Sequence, residues 1–246
     1  MPETYVLLLA GAMFAGAVLY SSVGHAGASA YIALMALFGV APTVMRPTAL
    51  ALNILVASIG SVRYLRAGLF RWRIAWPFML GAIPFAFIGG SIQLPGAYYR
   101  PIVGVVLLIS GARLLLPFDF LANREPRDPS VATGILFGAA IGLLAGLTGT
   151  GGGIFLSPLL LFAGWSSTKV ASGIAAVFIL GNSIAGLLGN VAVVRALPDD
   201  LPIYAAAVVL GALIGTTFGI RWEPERVLTA LGVVLIVAGA KLIGVY

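Results

Sequence analysis

The sequence predicts an all-α polytopic membrane protein of two inverted-topology repeats, with about eight to ten transmembrane segments. Three observations predict it. The 246 residues are 61% hydrophobic and only 9% charged, whereas soluble domains run at about 45–50% apolar and about 25% charged. Ten apolar runs follow one another along the chain. The order of short and long runs in the first half repeats in the second.

Taken in order, the runs occupy 5–22, 28–39, 43–62, 74–93, 99–117, 131–148, 153–163, 170–190, 202–220 and 226–244. A membrane-crossing helix takes about 20 residues, with about 17–25 the usual range. The segments 28–39 and 153–163 fall short of it, and each directly follows a glycine-rich break. Met1-Pro2-Glu3 carries no basic leader region, so the first run is expected to be part of the fold. The stretch Phe118 to Ser130, with two prolines and five charges, reads as a cytoplasmic linker over 118–130. It separates a first transmembrane repeat, 1–117, from a second, 131–246.

A shift of 125 residues lays Gly24-His-Ala-Gly27 on Gly149-Thr-Gly-Gly152, Gly39 on Gly164, Pro77 on Pro202 and Gly90 on Gly215. After about three inserted residues, Ser110-Gly-Ala-Arg-Leu114 matches Ala238-Gly-Ala-Lys-Leu242. Charge sets the orientation of the halves. The loop after the third run carries Arg63, Arg66, Arg71 and Arg73, while its counterpart holds Arg195 with Asp199 and Asp200. By the positive-inside rule the first loop is cytoplasmic and the second lies on the other face. An odd number of crossings must separate them: five if every run crosses, three if 131–163 turns back as a re-entrant hairpin. Either count inverts the repeats, an arrangement typical of secondary transporters.

The stretch Gly149-Thr-Gly-Gly-Gly153 is then the part that asks for a reason. Gly138, Gly142 and Gly146, four apart, form a small-residue stripe for close helix packing. Consecutive glycines make no stripe; they break the helix. Backbone freed at membrane depth is tolerated only where protein buries it or a watery cavity wets it. The helix that restarts after the break offers unpaired N–H groups and the positive end of its dipole, which suits an anion. No Lys-Ser/Thr follows these glycines, so a nucleotide-phosphate cradle is excluded.

The candidate substrate-binding residues are Ser22, Gly24, His25, Gly27, Ala28 and Ser29 at the first break, and Thr148, Thr150, Gly151, Gly152 and Gly153 at the second. Asn53 and Asn182 join them from inside the runs. His25 is also the proton-coupling candidate, since its reference pKa of about 6.5 lets it carry a proton; a neutral histidine bonded to a carbonyl is the alternative. All eight carboxylates lie at a terminus or in polar loops, whereas cation carriers place acids inside the membrane. The absence of cysteine and the single histidine exclude a Cys- or multi-histidine metal site, and no cofactor is expected. His25 has no carboxylate partner within the runs, so catalysis is not expected either. The net charge of +6 reads as topology signals flanking apolar spans, not as a nucleic-acid surface. For Arg46 and Lys169 the expectation is snorkelling to the interface. The partners expected are a small anion and the bilayer, with a homodimer as the candidate assembly.

The pattern Gly149-x-Gly-Gly-Gly-x-x-x-x-Pro158-x-Leu160, with its degraded echo at Gly24, resembles the signature of the sulfite exporter TauE/SafE family. The likeness in length, run order and duplication extends from about residue 8 to 243. Departures from the family pattern are His25, Ala26 and Ala28 in the first half, and Val170-Ala-Ser-Gly-Ile174 after Lys169. The resemblance implies a multi-pass protein of a bacterial inner membrane that exports small sulfur-containing anions such as sulfite or organosulfonates. A passive anion channel and a non-transporting membrane subunit are the alternatives.

Overall fold

The computed structural model describes residues 3–115, 127–190, 197–221 and 225–244. Among them the chain forms ten helices: α1 (Glu3–Ser22), α2 (Ala28–Leu37), α3 (Pro42–Arg66), α4 (Trp72–Ser91), α5 (Gly96–Leu115), α6 (Val131–Thr148), α7 (Gly153–Phe162), α8 (Thr168–Gly189), α9 (Leu201–Arg221) and α10 (Glu225–Ile243). They fall on the ten apolar runs, and no strand occurs among the described residues. Of the expected linker, 118–126 lies outside the described residues, as does Arg195. Six helices, α1, α3, α4, α6, α8 and α9, are long and apolar enough to cross a membrane.

Local chemistry sets the helix ends. Pro42 opens α3, where its missing N–H costs nothing. Ser130 caps α6 by accepting from the Thr133 amide at 3.1 Å. Left-handed glycines recur in register in the two halves: Gly24, Gly27 and Gly39 in one, Gly149, Gly152 and Gly164 in the other. Each pair is 125 residues apart, so the shift read from the sequence is a shift of backbone conformation too. Side chains rarely tolerate this region, which is why these turns need glycine.

Close packing sets the helix directions. Gly138, Gly142 and Gly146 lie against Phe78, Ala82 and Ala86, so α6 runs parallel to α4 at backbone-to-backbone distance. In the same way Gly211 and Gly215 place α9 parallel to α1, against Phe14 and Val18. By contrast α3 and α8 run antiparallel: Gly60 meets Ala176, Asn53 bonds Ser183 and Leu50 meets Gly186. The pair α5 and α10 is antiparallel as well, with Gly104 against Gly239 and Gly111 against Gly232. Exchanging the first five helices for the last five maps α1–α9 onto α6–α4 and carries α3–α8 and α5–α10 onto themselves.

The contacts also refine the register. Gly215 lies on the Val18 carbonyl as Gly89 lies on that of Leu143. The counterpart of Gly215 is therefore Gly89, not the Gly90 expected from the sequence. The extra residue enters between Gly39 and α3, since α3 starts at Pro42 and α8 at Thr168. The Gly111 and Gly239 pairing keeps the Ser110–Leu114 alignment with Ala238–Leu242.

Because α6 is parallel to α8, the short α7 must carry the chain back between them. Ten residues of helix rise about 15 Å, half of a hydrocarbon core of about 30 Å. The break supplies the rest. It starts at Gly149, level with Arg46 in the first turn of α3, and α7 ends at Gly164, whose carbonyl accepts from the Arg127 amide just before α6. Break and short helix together make one traverse, so the hairpin alternative for 131–163 does not apply. Leu136, Leu188 and Leu210 stand more than half exposed on the outside of the bundle, where a soluble protein of this size would carry charge.

Candidate functional site

The first break leaves α1 at Ser22 and resumes at Ala28; the second leaves α6 at Thr148 and resumes at Gly153. They meet in the middle of the bundle. His25 donates from Nε2 to the carbonyl of Gly153 at 3.1 Å, and since a carbonyl only accepts, that nitrogen carries the proton. The Tyr20 ring stands edge-on to the imidazole. Asn53, near the centre of α3, accepts from the Ala28 amide at 3.1 Å and donates to Ser183 at 3.3 Å. One asparagine thus caps α2 and reaches α8, and Gly151 lies against the same amide.

Four tyrosines fasten the breaks to their neighbours. Tyr31 donates to the Ala26 carbonyl at 2.7 Å, and Tyr64 approaches the carbonyls of Ser21 and Ser22 at the end of α1. Tyr99 donates to the Thr148 carbonyl at 3.0 Å. Tyr20 accepts from Ser29 at 2.8 Å. The remaining candidates bond locally: Ser22 to Leu19, Thr148 to Leu144, and Thr150 to Thr148 at 2.9 Å.

The expected N–H donors are present. Among the described residues, the amides of Ala26, Gly27, Ser29 and Ala30 at the first break, and of Gly151, Gly152, Gly153 and Ile154 at the second, meet no acceptor. The first amides of a helix lack intrahelical partners, so each break gathers several donors in one place. Asn182 adds to it. It is 1% exposed and neither its Oδ1 nor its Nδ2 has a partner. It lies one turn beyond Phe178, which meets Gly152, and one turn before Gly186, which meets Gly146. That face of α8 looks at the end of α6 and the second break.

Of the two settings that tolerate freed backbone, burial by protein is the one seen at the second break. Ile179 packs on Gly151 and Gly153, and Phe178 and Ile141 pack on Gly152. Open space lies instead beside α7. A recess of about 390 Å³ opens between α5, α6 and α7, lined by Pro101, Val105, Ile109, Leu144 and Phe155 among others. A smaller one of about 120 Å³ adjoins Pro158.

The family model described as sulfite exporter TauE/SafE matches residues 8–242. The chain belongs to the TauE/SafE family. A probable membrane transporter protein of Sinorhizobium fredii is 40% identical over 245 residues, 98% of this chain and 99% of that one. Two probable membrane transporter proteins of Xylella fastidiosa are each 31% identical over 111 residues, 45% of this chain and 41% of theirs. No solved structure matches. This TauE/SafE protein is accordingly a multi-pass membrane protein of a transporter family.

Within this TauE/SafE chain, the structure brings His25, Ala28, Asn53, Gly151 and Gly153 together, leaves Gly24 against Ser172 near the start of α8, and turns Ser22, Ser29 and Thr148 to their own helices or a tyrosine. Sequence reasoning missed the tyrosines, whose hydroxyls look like ordinary interface residues in an apolar run. It also misplaced Arg46. The expectation was snorkelling, but Arg46 is 5% exposed and donates to the carbonyls of Gly89, Gly90 and Ile92 at the end of α4. The last-turn carbonyls of a helix are unpaired and its dipole is negative there, so a guanidinium turned inward finds partners it would lack at the surface. Its place four residues inside α3, followed by Pro47, was the signal available.

Proposed function

We propose that this TauE/SafE protein is a secondary transporter that exports small sulfur-containing anions, such as sulfite or organosulfonates, across a bacterial inner membrane by alternating access. The observation that carries the proposal is the meeting of two breaks in mid-bundle, each with open amide donors and joined by the His25–Gly153 bond. An anion at helix starts gains from both the N–H groups and the dipole. Asn182, with a free donor in its amide group, supplies orientation. The substrate-binding set is Gly24 to Ser29, Thr150 to Gly153, Asn53 and Asn182, held by two inverted repeats, 1–117 and 131–246.

The repeats differ in one respect that supports the motion. The short helix α2 packs on α10, and Lys241 bonds the Leu37 carbonyl at 3.0 Å. Its counterpart α7 has the recess between itself and α5. Alternating access in this reading exchanges the two seats: α7 closes on α5 as α2 leaves α10. Inverted repeats give two such states by symmetry. His25 couples a proton by taking it up at Nδ1 while Nε2–H stays on the Gly153 carbonyl, and by releasing it when the breaks move apart.

The test is flux in proteoliposomes. Labelled sulfite moves with saturation, competes with sulfonates and responds to an imposed pH gradient. Linear flux without competition identifies a passive channel, and no anion flux from well-folded protein rejects the proposal.

A further inference from the structure

Among the described residues Arg46 is the one charged side chain that is buried. Its terminal nitrogens are used by three carbonyls at the end of α4, yet its Nε is buried and meets no acceptor. Among the described residues the one ion pair is Arg73 with Asp128, at the surface, so no carboxylate offsets the Arg46 charge. The helix end offsets part of it; a buried cation ordinarily also needs an anion. The side chain lies along the start of the second break, where a methyl group on Gly149 would stand 3.1 Å from Arg46 Cγ. Nε is two bonds further along.

The repeat makes this one-sided. Gly24 lies against Ser172 in the first turn of α8, as Gly149 lies against Arg46 in the first turn of α3. Those two residues are counterparts in the refined register, 126 apart. Arg46 sits about 10 Å along α3 from Asn53, toward the end opposite Arg63 and Arg66. A path through the breaks therefore begins at a neutral hydroxyl on the basic-loop side and ends at a cation on the other.

We propose that Arg46 is an anion-binding residue, using its Nε–H to hold the sulfur oxyanion at the exit end of the second break. The assignment rests on the function proposed above. The guanidinium is held by the α4 carbonyls, so it offers one remaining N–H and a net charge beside the break. Ser172 offers neither, and the site is tighter at the exit end than at the entrance.

The experiment uses the full chain in nanodiscs with sulfite as the probe. In the native protein with ¹⁵N-labelled arginine, one Nε–H resonance, absent from Arg46→Lys, shifts on sulfite addition with the same Kd as calorimetry gives. Arg46→Lys keeps a cation for the α4 carbonyls but loses the donor, and raises that Kd roughly 10-fold; Arg46→Gln raises it roughly 100-fold. Sulfite binding with no change at that resonance, or with unchanged Kd in Arg46→Lys, overturns the assignment while leaving sulfite transport standing. Should sulfite not bind native protein at all, both readings fall. Should Arg46→Lys fold poorly, Arg46→Gln identifies the same resonance, and the titration itself is made on native protein.

Discussion

Asn53 and Asn182 are one residue type with opposite energetic positions. Asn53 satisfies the Ala28 amide and Ser183, so Asn53→Leu orphans buried partners and costs about 1–3 kcal/mol, read as a lowered unfolding midpoint in detergent. Asn182 has no partner to orphan. Its replacement by leucine removes an unpaired buried amide, leaving stability unchanged or raised while sulfite flux falls. Equal losses of stability in the two variants would contradict the substrate role of Asn182. His25→Gln keeps a donor for the Gly153 carbonyl but cannot titrate. Its residual flux no longer responds to an imposed pH gradient, measured across a series of internal and external buffers. The asparagines and the histidine were legible in the sequence, because polar residues in apolar runs stand out. Their partners were not, since hydrogen bonds such as Asn53 to Ser183 join residues 130 apart.

Helix by helix, glycine divides into two kinds. Gly142 lies on the Ala82 carbonyl, and Gly142→Ala forces α4 and α6 apart at a cost of about 1–3 kcal/mol. Gly11 has nothing nearby and sits in the exposed side of α1; Gly11→Ala stabilises by up to about 1 kcal/mol through helix propensity. Thermal unfolding of the two variants side by side checks both signs. The stripe at 138, 142 and 146 announced close packing, but not that α4 is the partner. The short helices yield a prediction about motion. The chain has no cysteine, so paired cysteines report cleanly. Ile109 and Phe155 both line the recess beside α7, and a short bifunctional maleimide joins Ile109→Cys to Phe155→Cys more readily once sulfite drives α7 onto α5. Cross-linking of Leu37→Cys to Lys241→Cys falls in the same conditions. Yields indifferent to sulfite would show that the seats do not exchange.

For the molecule as a whole, the antiparallel pairs α3–α8 and α5–α10 fix the relation of the two halves more firmly than charge does. They place the loops after α3 and after α8 at opposite ends of the bundle. Arg71→Cys and Asp199→Cys are therefore labelled by a membrane-impermeant maleimide from opposite faces, with Asp199→Cys reacting in intact cells and Arg71→Cys only after lysis. The sequence alone determined the membrane environment, the ten segments and the glycine breaks, because each follows from local composition: hydropathy needs only neighbours, and consecutive glycines weaken a helix wherever they stand. It also carried the 125-residue echo of the glycine breaks. Only the tertiary structure decided that the two breaks touch, that α7 with its break completes a crossing, and that Arg46 turns inward to the end of α4. Those outcomes depend on which helices lie side by side, and the apolar stripes of a membrane bundle, alike on every helix, do not name their partners.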